Sequence, residues 1–159
     1  MFDKVLLAIQ TADTLDQIKL AISLAGLLSL IGIVAALVSM RVTVCNQIYA
    51  RWQSLLFKFA DVADAHELLS TTAYSRGSGV RPKAHFIAVG YINLFEEAFR
   101  YRNSRLLFLW RVLPRPFWIS IVNSMQKQFR NFSYLRTYWE AEQDSFSSDF
   151  NAFVRLHVL

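Results

Sequence analysis

Three histidines are the starting point for acid–base or metal chemistry in this chain, and His66, with Asp61, Asp64 and Glu67 close by, is the densest group. On a helix these positions cover about one and a half turns, so one or two of the carboxylates share a face with the imidazole. A zinc ion needs three or four ligands, usually with a His pair three or four residues apart, and the other histidines are remote in sequence. The group therefore reads as a solvated polar face, and no metal or other cofactor is expected. Arg81 with His85 and Arg155 with His157 have three and one intervening residues, so neither fits the RxxxxH spacing of the helical HEPN ribonucleases. Cys45 is the only cysteine and has no histidine beside it to act as base; its place next to an apolar run leaves lipid attachment open. A hydrolase built on His66 with Asp61 or Asp64 lacks an assembled nucleophile, base and orienting group. The chain is therefore expected to bind rather than catalyse.

Positive charge does rise above background. Between Ala98 and Tyr138 there are eight basic residues and no acid, in a chain holding 17 Lys+Arg against 12 Asp+Glu. Arg100, Arg102, Arg105 and Arg111 are the candidate contacts to an anionic partner. Beside an anionic leaflet each such side chain contributes about 1 kcal/mol. Aromatic residues interleave with them (Tyr101, Phe108, Trp110, Trp118, Tyr134) as in stacking platforms for nucleic acid. A membrane surface or a protein partner is preferred over nucleic acid, because a membrane tether already gives a reason for the positive balance. Asn93 and Glu96 form a third feature, a candidate buried polar pair. They are spaced i, i+3 on a segment otherwise lined by Ile92, Phe95 and Phe99, so at least one is expected to point inward and find a donor such as an arginine.

The elements that carry these residues begin with an apolar run. Composition is 54% hydrophobic and only 18% charged over 159 residues, with mean hydropathy +0.28, whereas soluble domains carry about 25% charged residues. From Leu20 to Met40 there is no charge and no proline, with Lys19 and Arg41 as flanks. As a helix this run is about 31 Å long, matching the hydrocarbon core of a bilayer. Ala25, Ser29, Gly32, Ala36 and Ser39, with Ala21 before them, recur every three or four residues and form one small-residue stripe. Close backbone approach across such stripes drives helix association in lipid, so a homo-oligomer or a partner membrane protein is expected. Residues 41–60 hold three basic residues and no acid, while residues 1–19 hold two Lys and three Asp. The positive-inside rule then places the N-terminus outside and the C-terminal domain in the cytoplasm, on an inner membrane.

Residues 1–16 are expected to form a short amphipathic segment on the outer surface, with Phe2, Val5, Leu6 and Ile9 at helical spacing. Residues 17–40 form the transmembrane helix, opened by a capping box of Thr14 and Gln17. Residues 41–159 form a cytoplasmic domain. Apolar residues at Val42, Cys45, Ile48/Tyr49, Trp52, Leu55/Leu56, Phe59 and Val62 continue a helical period, predicting one helix to about Leu69. A loop at 70–82 contains two Gly and a Pro and interrupts it. Helices are predicted over about Lys83–Arg102, through the apolar Leu106–Leu113 to near Val112, from Pro116 through Phe117, Ile121, Met125 and Phe129, and over Ser145–Leu156. The fold class is all-α: one N-terminal transmembrane helix continuing into a bundle of four or five helices.

The run Gly90-Tyr91-Ile92-Asn93-Leu94-Phe95-Glu96-Glu97, then Trp110, Pro116-Phe117-Trp118, Tyr138-Trp139 and Asp149-Phe150-Asn151-Ala152-Phe153-Val154, carries a resemblance over roughly residues 20–156. The chain resembles small bacterial proteins with one N-terminal transmembrane helix and a helical cytoplasmic domain of unknown function. Some of these accompany defence or signalling systems. The resemblance implies a membrane protein and brings no catalytic residues.

Overall fold

The computed structural model describes residues 2–75, 82–106 and 110–159, with the backbone alone for 2–13, 82, 105, 106 and 110. The protein is all-α, with six helices among the described residues, and it divides into two units, Met1–Met40 and Arg41–Leu159. The first helix, α1 (Phe2–Ala60), supplies all of the first unit and the opening of the second.

In the first unit α1 runs from Phe2 through Thr14 without interruption, so Thr14 and Gln17 do not open a new helix. The reason is local: residues 2–25 contain neither Pro nor Gly, and Leu, Ala, Ile, Gln and Lys are sound helix formers. Between Leu15 and Met40 most large apolar side chains lie open, Leu24, Ile31 and Val38 among them. Residues Thr14–Ala60 include a window long and apolar enough to cross a membrane, none of it buried within the protein. Two hydroxyls on this stretch are satisfied by the helix itself: Ser23 Oγ donates to the Lys19 carbonyl and Ser29 Oγ to the Ala25 carbonyl, both at 2.8 Å.

In the second unit α1 presents Val44 and Ile48 as buried residues and Trp52, Leu55 and Phe59 as half-buried ones. Val42, Tyr49 and Leu56 from the expected stripe are exposed, so the buried face is narrower and rotated toward Val44. The helix stops at Ala60 rather than continuing to Leu69. Asp64 adopts the left-handed region (φ 65°), a conformation that Asp tolerates better than most residues, and the chain turns into α2 (Ala65–Thr71).

Helix α3 (Pro82–Asn103) is the central element, burying Ala84, Ile87, Ala88, Tyr91, Ile92, Leu94, Phe95 and Ala98. Gly90 lets α1 come close: a Cβ there would lie 2.6 Å from Leu55 Cδ2. After α3 the predicted helix over Leu106–Leu113 is replaced by a short antiparallel pair, β1 (Arg105–Leu106) and β2 (Trp110–Arg111), with Arg105 opposite Arg111. Val112 and Leu113 then bury against Val44, Ile48, Leu94 and Ala98.

Helix α4 (Arg115–Asn131) follows Pro114 and buries Met125 and Phe129. Helix α5 (Ser133–Ala141), which periodicity did not single out, buries Tyr134, Leu135 and Trp139. Helix α6 (Ser148–His157) closes the core with Phe150 and Val154. Polar cross-links hold the packing: Trp139 Nε1 donates to Asn151 Oδ1 at 3.0 Å, and Asn151 Nδ2 donates to the Gln143 carbonyl at 2.8 Å.

Candidate functional site

The positively charged segment is built by the way α3 ends and α4 begins. Ser104 N–H and Oγ both reach the Arg100 carbonyl, at 2.9 and 2.8 Å, and terminate α3. The β1–β2 reversal carries the chain back, and the Val112 N–H donates to the Ser104 carbonyl at 3.3 Å. Arg102 Nη1 then donates to the Leu113 carbonyl at 2.9 Å, which fixes the guanidinium beside the segment running from Arg111 to Arg115. Arg111 and Arg115 are exposed, while Arg102 is half-buried. Burial, and then the neighbouring charges of Arg111 and Arg115, push the Arg102 guanidinium below its ordinary value. Its Nε is buried and finds no acceptor among the described residues.

Four arginines stood as candidate anion contacts, and the structure gives them different situations. Arg100 turns to Glu96, Nη2 to Oε1 at 3.1 Å. Arg102 and Arg111 belong to the group just described. Arg105 pairs with Arg111 through the β1–β2 register, and its side chain lies outside the described residues. Arg115 completes the group. Sequence reasoning counted it among the basic residues without favouring it, because only the chain reversal and the Leu113 carbonyl bring Arg102 to its side.

The expected polar pair separates. Glu96 is 7% exposed, whereas Asn93 is exposed, since on α3 the two positions straddle the edge of the buried face. Burial works to raise the Glu96 pKa, but the Ser147 N–H at 3.0 Å and Arg100 outweigh it and hold the carboxyl below its ordinary value. Ser147 is the residue before α6, so Glu96 ties α3 to the start of α6.

Of the residues tested for catalytic chemistry, His66 sets its ring edge-on against Phe132 at 5.4 Å and Phe59 at 6.5 Å. Among the described residues no three His, Cys, Asp or Glu side chains are grouped to hold a metal. His85 lies in an aromatic cluster that the sequence did not suggest. Its Nδ1 is 3.0 Å from the Tyr134 hydroxyl, Tyr74 stacks on it at 6.0 Å, and Tyr138 meets it edge-on at 5.5 Å. Burial, then Tyr74 and Tyr138, push Tyr134 up to about 12. Cys45 is half-buried against the Val44–Leu113 cluster.

The small-residue stripe of the first unit, Ala25, Ser29, Gly32, Ala36 and Ser39, is exposed throughout. A Cβ built on Gly32 meets nothing within 4 Å, so the backbone there is open to close approach. No protein-family model, curated protein or solved structure matches the chain.

Proposed function

We propose that the chain is a single-pass membrane protein that self-associates through its small-residue stripe and presents the helical domain, arginines included, at the cytoplasmic face of an inner membrane. It acts by binding, as an oligomeric scaffold or sensor subunit, or, if its assembly encloses a lumen, as a pore-type effector. The observation that carries this reading is the exposure of every large apolar side chain between Leu15 and Val34, on a helix where the Ser23 and Ser29 hydroxyls bond to the helix's own carbonyls. Apolar surface on that scale needs a cover, and lipid provides it for a helix of this length.

Size-exclusion chromatography with light scattering on the full chain in nanodiscs or detergent tests the self-association. An oligomer is expected, and Gly32→Leu with Ala36→Leu is expected to reduce it to a monomer. An unchanged oligomer with both substitutions would remove the stripe from the interface. Protease added to sealed right-side-out cells is expected to spare residues 41–159; their removal would reverse the orientation.

A further inference from the structure

We propose that Arg102, Arg111 and Arg115, at the reversal between α3 and α4, form a binding site for a phosphate oxyanion, supplied by the headgroup of an anionic bilayer lipid. Charge favours an anion at this turn. Folding brings three guanidinium groups to one turn of chain, and none of the three forms an ion pair with a described carboxylate. The acids closest in sequence are already engaged: Glu96 accepts from Arg100 and from the Ser147 N–H, and Glu97 pairs with Arg51. Like charges gathered without counter-charge oppose the compact state, so the arrangement is completed by an anion.

Geometry favours an oxyanion. The Leu113 carbonyl holds one Nη of Arg102 and thereby sets the plane of its guanidinium, while Nε is left buried with no acceptor. A buried donor without a partner is costly. A phosphate offers several acceptor oxygens that suit the planar fork of a guanidinium, which a single carbonyl does not. Arg111 and Arg115, two residues to either side of Leu113, are exposed and reachable by a ligand. Helix α4 starts at Arg115 with no side-chain cap, so its unpaired N–H groups add positive potential at the same place. The cleft lined by Lys58 and Lys83 also includes Asp61, which offsets part of the positive charge there.

The source follows from where the site sits in the domain. Val112 and Leu113 pack with Val44 and Ile48, and Val44 is only four residues along the chain from Met40, where the apolar run ends. Within the second unit the arginines thus lie beside the stretch of α1 that directly follows the apolar run, so for a run that spans a bilayer lipid headgroups are the phosphate source nearest along the chain. The lipid source rests on the membrane reading above, whereas the oxyanion site does not.

The test is the rate at which phenylglyoxal modifies each arginine of the full chain, read by peptide mass spectrometry. The chain is placed in phosphatidylcholine nanodiscs alone, with inorganic phosphate added, with a single-stranded oligonucleotide added, or with phosphatidylglycerol in the disc. Phosphatidylglycerol is expected to protect Arg111 and Arg115 while leaving Arg130 and Arg136 unchanged. R111Q should weaken the protection of Arg115 about fivefold, and R115Q that of Arg111, as loss of one basic contact at an anionic surface requires. The double variant K127Q/R130Q removes more charge elsewhere and should leave that protection intact.

Protection by inorganic phosphate as well supports the site and shows that free phosphate shares it. Protection by inorganic phosphate alone keeps the oxyanion site and overturns the lipid source. Protection by the oligonucleotide alone, uniform protection of all arginines, or none overturns the proposal. Because rates are read peptide by peptide at any oligomer size, a monomeric chain would sink the self-association and leave this result standing.

Discussion

Leu24 and Ile31 in the first unit are 53% and 56% exposed, whereas Leu113 and Ile92 in the second are completely buried. The side-chain types are the same. What differs is the cover: in residues 41–159 other helices provide it, whereas between Leu15 and Val34 the large apolar side chains stay exposed. Burial of apolar surface is the main favourable term in folding, so the second unit holds a core of its own and the first does not. Two of the helical glycines repeat the contrast. Gly90 has Leu55 against it, and Gly32 has open space.

Removing bulk should affect the two units very differently. Trp139→Ala is expected to destabilise the domain by about 3–5 kcal/mol through cavity formation, since Trp139 is fully buried and its Nε1 is bonded to Asn151. Leu28→Ala should leave domain unfolding unchanged. Chemical denaturation of the full chain in detergent, followed by amide exchange in α3–α6, measures both; equal losses would erase the distinction between the units.

Glu96→Gln comes next, at about 1–3 kcal/mol near neutral pH, as expected for a buried charged acceptor. The folded Glu96 carboxyl lies below its ordinary value, so its contribution is present above the ordinary carboxylate range and is lost as pH falls through the lowered folded value. The stability difference between wild type and variant should therefore shrink on acidification. A constant difference across the acid limb would show that the Ser147 and Arg100 bonds do not depend on the charge.

Tyr134→Phe should cost about 1 kcal/mol through loss of the bond to His85. The Tyr134 hydroxyl is raised from 10.0 to about 12, so its contribution is complete below pH 10 and disappears as pH rises toward 12. Alkaline melts should show a transition in the wild type that is reduced in the variant.

The smallest effects compare the glycines. Gly32→Ala gains helix propensity of roughly 1 kcal/mol with nothing to collide against inside the monomer. Gly90→Ala gains the same but displaces Leu55, so its net effect on domain stability should be a loss, reversed in a Leu55→Ala background. A loss that persists in that background would mean that contacts other than Leu55 set the α1–α3 spacing.

Much of this organisation was legible in local patterns. The uncharged Leu20–Met40 run, the α3 boundaries, and the Met125, Phe129, Phe150 and Val154 faces all follow from 3.6-residue periodicity and punctuation by Pro. The end of α1 was hidden because Asp64 enters the left-handed region without a Gly or Pro to announce it. The β1–β2 reversal was hidden because Leu106–Leu113 is apolar without period, and such runs read equally well as helix or buried strand. Asn93 and Glu96 were separable only once the width of the buried face on α3 was known.

Local sequence was enough to show that an apolar run of bilayer length leads into an all-α domain with more basic than acidic residues, because length, charge and periodicity act over one or a few turns of chain. The tertiary structure alone decided that Arg102 lies beside Arg111 and Arg115, that Glu96 reaches the start of α6, and that His85 meets Tyr134. Each of these contacts joins different elements, and its existence depends on a chain reversal or a helix crossing that no local pattern specifies.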